Sequence, residues 1–318
     1  MNRFIPLALL CVVMSLTCCN QKATTSQGFG SLESNALLWS ISGNGLKDTS
    51  YLLGSMHNVD RKFVWEIPGF KKAFFDSKQV AVEVDITSPE VDQNIPKKMA
   101  SFLMSNDTTY QMLYDKEVFH LVDSLLGKRT KSYYKYTPAF WIKALLNEAQ
   151  YTKKKSWDPM MDEGIMYLGY QNSKEVFFME PVGEWSDVWS SLDSISQRHT
   201  LQQQARSLYE VIKKKDEIKA WYDSLKSEYR RTGLKYMLAI DSIEYYRNSK
   251  MTDREKQAYQ AIMNKVGVER NEKWMPTILS HIHKASSFMA VGVRHLTGEN
   301  GLIAKLRALG YKVEPVTE

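Results

Sequence analysis

"FMAVGVRHLTGENGLIAKLRALGYKVEPV", residues 288 to 316, spells out one strand, helix, strand unit. The apolar run "FMAVGV" reads as a buried strand, "GENGLIAKLRALG" as a helix bounded by glycines, and "YKVEPV" as a last short strand. Such a unit predicts an α/β (α+β) fold, a mixed central sheet with helical insertions. Outward from it, "ALLWSIS" and "TSYLLG" are β-prone runs separated by "GNGLKD", which predicts a hairpin starting near Ala36. A helix is expected around Trp65 to Asp76, a strand at "QVAVEVDI" and another at "EVFFMEPV", residues 175 to 182. Between them, Ser88 to Lys155 carries apolar residues three and four apart. A second helical stretch, about 185 to 284, leaves one strand and returns into another, so it is expected as a cap on the domain at 36 to 318.

The beginning of the chain reads differently. "MNRFIPLALLCVVMSLTCCN" has Arg3 ahead of an apolar run too short for a membrane span, which predicts an export signal over residues 1 to 18. Leu16, Thr17 and Cys18 before Cys19 resemble a bacterial lipobox, so Cys19 is expected to be acylated; an ordinary secretory signal cut nearby is the alternative. Residues 19 to 35 are small and polar, suited to a flexible tether. The protein is thus expected as an exported bacterial lipoprotein of the cell envelope, anchored to the inner or outer membrane. Under this reading none of the 3 cysteines remains as a free thiol, which excludes thiol chemistry. The net charge of +6 is dispersed through short lysine runs mixed with acids, which argues against a nucleic-acid surface. Composition does not specify an oligomeric state.

Two stretches share a pattern. "SYLLGSMH", residues 50 to 57, and "FMAVGVRH", residues 288 to 295, each run apolar to a glycine and place a histidine three residues later. With 16 glycines and 6 histidines in 318 residues, chance supplies roughly 0.3 such pairs. The repetition points to two related halves. If both runs are strands, His57 and His295 lie just past their carboxyl ends, where open α/β sheets bind ligands, and Gly54 and Gly292 permit close backbone approach. Two neutral imidazoles there suit a divalent ion such as Mn, Co, Zn or Fe; the plainer alternative is that each histidine caps a turn or bonds within the core. Glu83 closes the apolar "VAVEV" and needs a partner: a metal, a catalytic water, or a salt bridge to Arg270 or Arg294. Glu180 repeats the pattern after "VFFM", with a solvent-facing position as its alternative. "HIH" at 281 to 283 has helical spacing that splays its histidines apart, and Asp162 and Glu163 read as acids at a helix start. The chain has no Walker loop, no Gly-x-Ser-x-Gly elbow and no His-Glu-x-x-His helix.

Taken together, "LLGSMH", "VAVEVD", "ERNEKWMPTI" and the closing block resemble the TraB/GumN family, which includes PrgY and the Tiki proteins. The closing block is the most specific, with Gly292, His295, Leu296, Gly298, Glu299, Gly310 and Tyr311 all fitting. The resemblance implies a membrane-anchored metal-dependent hydrolase, a peptidase acting on a peptide or protein substrate. It implies a site of Gly54, His57, Glu83, Arg270, Gly292 and His295. His57, His295 and Glu83 would hold the metal, with Glu83 as ligand or general base and Arg270 orienting Glu83 or stabilising an oxyanion. A non-catalytic lipoprotein that sequesters haem or a peptide is the alternative the same resemblance carries. Two departures stand out: "MMD" replaces the family's Gly-hydrophobic-Asp before the central strand, and Gly169 replaces the alanine seven residues after Asp162.

Overall fold

The structure is a computed structural model and describes residues 34–151, 160–196, 199–237, 240 and 252–317. The expected signal, Cys19 and nearly all of the expected tether lie outside the described residues. Six strands form one mixed sheet: β1 (Leu38–Ser42), β2 (Ser50–Ser55), β3 (Gln79–Val82), β4 (Glu175–Phe178), β5 (Ser287–Gly292) and β6 (Lys312–Pro315). Their spatial order is β4-β3-β5-β2-β1-β6. The pairs β4/β3, β3/β5 and β5/β2 are parallel, whereas β1 pairs antiparallel with both β2 and β6. The expected α/β class with a mixed sheet therefore holds.

The pattern of burial explains the topology. Val80, Ala81, Phe288, Met289, Ala290 and Val291 have no exposed surface, as a parallel strand covered on both faces requires. Between β1 and β2, Gly43, Asn44 and Gly45 all take positive φ, the left-handed backbone that this tight turn needs. Phe70 and Phe74, from the helix Phe70–Asp76, pack edge-on against Phe288 at 5.3 and 5.6 Å. The helix expected from Trp65 is broken in two: Arg61–Glu66 is a 3-10 turn, and Pro68 and Gly69, the latter at φ 70, precede the α-helix.

The chain divides into two compact units. The sheet unit holds the described residues of 34–87, 160–185 and 224–317. The helical unit holds those of 88–151 and 186–223, so the stretch expected as one cap from 185 to 284 is shared between the two units after Asp223. Within the helical unit, Tyr110, Val122, Leu126, Trp141, Leu208 and Val211 form a core of their own. Its cavity of about 610 Å³ is lined by residues including Thr108, Asp123, Lys128 and Tyr134. Among the described residues no helix is long and apolar enough to cross a membrane.

Candidate active site

Every residue of the candidate site belongs to the sheet unit. Because β2 and β5 are adjacent and parallel, with Ser55 opposite Gly292, the two Gly-x-x-His segments leave the same edge of the sheet side by side. His57 lies two residues past β2, and His295 ends a 3-10 turn, Val293–His295, directly after β5. β3 lies on the other side of β5 and delivers Glu83, the first residue past its end; Glu180 lies two residues past β4.

Glu83 is the centre of this arrangement. Its Oε1 lies 4.0 Å from His57 Nε2 and 3.9 Å from His295 Nε2, and it accepts the Gly292 N–H at 2.7 Å. Its Oε2 accepts from Arg270 Nη2 at 2.6 Å. Arg270 is itself buried and holds a second carboxylate: its Nε donates to Glu180 at 3.0 and 3.2 Å, and its Nη1 approaches His295 Nε2 at 3.3 Å. The guanidinium lies over the Trp274 ring, 4.5 Å from its centroid, and the indole N–H of Trp274 reaches Glu180 at 3.3 Å. Arg270, Asn271 and Trp274 share one buried face of the helix Glu269–Lys284, which follows a π-helical turn at Asn264–Val268.

The two imidazoles have different surroundings. The His57 side chain is 54% exposed and that of His295 only 7%, so the site opens on the His57 side. His57 Nδ1 bonds Asp162 Oδ2, and this carboxylate raises the ring to about 10. Burial pushes His295 down to about 4, leaving it neutral at pH 7. Burial also opposes ionisation of Glu83, but His295, Arg270 and His57 outweigh it and bring the carboxyl down to about 2. With His295 neutral, Arg270 and the protonated His57 ring are the cations of that set.

The two motif glycines do different work. A Cβ on Gly54 would lie 3.0 to 3.2 Å from Leu296 Cδ2 and from Val293 Cγ2 and Cα, so this glycine lets β2 pack against the turn after β5. A Cβ on Gly292 would lie 3.2 Å from Glu83 Oε1, 3.6 Å from His295 Cδ2 and 3.9 Å from His57 Nε2. Its absence keeps open the space between the three side chains.

A model of the TraB/PrgY/gumN family matches residues 37–315. The chain belongs to this family. It is 23% identical over 323 residues to a protein of Nematostella vectensis called "Metalloprotease TIKI homolog", an alignment covering 89% of this chain and 67% of that protein. No solved structure matches.

The two departures from the family's pattern leave the site in place. Met160, where the family has glycine, takes φ −65 and ψ 171, a backbone open to any residue. Gly169 fits because a Cβ there would come within 3.0 Å of Val176 and 3.2 Å of Val80 beneath its helix. The "HIH" pair lies on a helix, as its spacing predicts, and both rings have partners. His281 stacks on Phe177 at 3.5 Å, and His283 bonds the Tyr311 hydroxyl at 2.7 Å.

As donors for a divalent ion, the residues suit the chemistry. Both histidines turn Nε2 toward Glu83 while Nδ1 is engaged elsewhere, and three carboxylates, Glu83 and Glu180 on Arg270 and Asp162 on His57, stand against two cations, the guanidinium and the His57 ring. The Nε2 to Oε1 separations exceed by about 0.5–1 Å those of two atoms sharing one ion at ~2.1 Å. Among the described residues no group of three or more His, Cys, Asp or Glu side chains stands ready to hold a metal ion.

Proposed function

We propose that this chain is a metal-dependent hydrolase, a peptidase for envelope or extracellular polypeptides, held at a membrane by acyl chains on Cys19. The observation that carries this reading is the convergence of His57 Nε2 and His295 Nε2 on Glu83 Oε1. The family and the metalloprotease in the relative's name support it. His57, His295 and Glu83 would hold the ion, whose contribution is to polarise a peptide carbonyl and acidify a water.

The protein's own groups do the rest. Arg270 joins Glu83 and Glu180 and keeps Glu83 charged, and with its donors already engaged it acts as an orienting group. Glu83 Oε1 faces the open space beside Gly292, where it can meet the ion and accept a hydrogen bond from a water that the ion holds. Asp162 holds the proton on His57 Nδ1, and the Trp274 ring packs against His295, 4.4 Å between centroids, on the buried side of the site.

The test is cleavage of a peptide library by the purified protein, stripped of metal and then loaded with Mn, Co, Zn or Fe, and read by mass spectrometry. Cleavage that needs metal and is lost on Glu83→Gln is expected. A Soret band on haem addition with no cleavage under any metal would contradict the hydrolase and favour a sequestering protein.

A further inference from the structure

Asp162 and Asn271 lie 109 residues apart in the chain, yet each meets the Nδ1 of one site histidine. Asp162 Oδ2 bonds His57 Nδ1, and Asn271 Oδ1 lies 2.7 Å from His295 Nδ1. We infer that these two are positioning residues: by accepting the Nδ1 proton they fix each ring, so that Nε2 of His57 is turned toward Glu83 and Nε2 of His295 toward Glu83 and the Arg270 N–H 3.3 Å away.

The surroundings of both residues support this role. Asp162 stands in the first turn of the helix Met161–Gln171, where an acid ordinarily caps backbone N–H groups, but the Met160 N–H is bonded by Glu163 instead. Asp162 is buried, and its second oxygen, Oδ1, has no partner among the described residues. The bond to His57 is therefore what this burial secures. The helix is brought to His57 by a bridge between Asp60 and Met160 and by Gly164, where a Cβ would stand 2.6 Å from Arg61 Cβ. Asn271 is held on its other side, donating to the carbonyls of His295 at 3.1 Å and Asn300 at 2.9 Å. With Nδ2 committed to two carbonyls, only Oδ1 can face the ring, so the ring nitrogen there must carry the proton.

A carboxylate or amide oxygen behind an imidazole, setting its tautomer and angle, is the arrangement that makes histidine a good metal ligand. In that respect the inference rests on the hydrolase reading. The orientation of the rings does not, and the experiment separates the two. Full-length metal-free protein with ¹⁵N-labelled histidine is examined by NMR for hydrogen-bonded Nδ1–H protons, and Co²⁺ alone is then titrated in. Two such protons are expected in the wild type. Asp162→Leu should remove the His57 proton and Asn271→Leu the His295 proton, whereas Asp162→Asn, which keeps an acceptor, should retain the His57 proton. Gly164→Ala, remote from the ring, should weaken the His57 bond by moving the helix.

Each Leu variant should lower Co²⁺ affinity about 10- to 100-fold. Wild-type spectra lacking these protons, or Leu variants that fold by circular dichroism and retain them, would overturn the inference. Should the Leu variants not fold, the wild-type spectrum and Asp162→Asn decide. Protons that behave as expected in a protein that takes up no Co²⁺ would sink the hydrolase reading and leave the positioning intact.

Discussion

Alanine at Gly292 and alanine at Gly54 should fail in opposite ways. Gly292 takes φ −52 and ψ 134, an ordinary extended backbone, so an alanine there incurs no strain and gains about 0.4–1 kcal/mol by restricting the unfolded chain. Against that stands one tight contact, 3.2 Å to Glu83 Oε1, which the carboxylate can relieve only by moving off its bond to the Gly292 N–H. Net stability should change by less than about 1 kcal/mol, while Co²⁺ affinity falls about 10- to 100-fold. At Gly54 the new methyl meets Val293 Cα at 3.2 Å and two further carbons at 3.0 and 3.1 Å, all in the packed interior. Overpacking of that kind costs about 1–3 kcal/mol. Urea denaturation of the metal-free proteins, with Co²⁺ titration of each, measures both quantities. If Gly292→Ala bound Co²⁺ like the wild type, or if the two substitutions destabilised equally, the assignment of one glycine to the site and the other to packing would be wrong.

Arg270→Met leaves Glu83 and Glu180 buried without their cation and should cost about 3–5 kcal/mol by denaturation, part of it recovered by adding Glu180→Gln. In the metal-free protein, His295, depressed to about 4, contributes stability that is complete above pH 6.5 and lost as pH falls toward 4. Glu83, depressed to about 2, contributes stability lost from about pH 4.5 downward. His57, raised to about 10, acts oppositely, its contribution being complete below pH 6.5 and lost as pH rises through 10. Denaturation midpoints across pH should therefore fall at both ends, and His295→Ala should flatten the curve between pH 4 and 6.5. Cys19→Ser should release the protein from membranes in a fractionation assay, since stable anchoring takes more than one acyl chain; unchanged retention would refute the anchor.

Much of the sheet was legible because its strands are apolar on both faces and bounded by glycine and asparagine turns: the hairpin of β1 and β2 and the closing strand, helix, strand unit stand where the sequence puts them. The pairing of His57, His295, Glu83 and Arg270 was legible as strand-end chemistry and as a family resemblance. What stayed hidden was set by contacts distant along the chain. Asp162 reads as a helix-start acid, and nothing near it signals a histidine 105 residues away. Asn271 and Trp274 read as parts of an amphipathic helix; only their spacing of one and four from Arg270 placed them on the site's face. Glu180 reads like Glu83, and nothing in the chain shows that one guanidinium, Arg270, engages both. The helix expected from Trp65 begins only at Phe70, because Pro68 and Gly69 separate it from the 3-10 turn Arg61–Glu66.

The central claim is that two separated Gly-x-x-His segments build one metal site. It is tested most directly by titrating Co²⁺ into four metal-free proteins: the wild type, His57→Ala, His295→Ala and the double variant. The account predicts a saturable site in the wild type, its loss in either single variant with the fold preserved, and a double variant no weaker than the singles, because ligands of one ion act as a unit. Full Co²⁺ binding by either single variant, or losses that add independently, would contradict it.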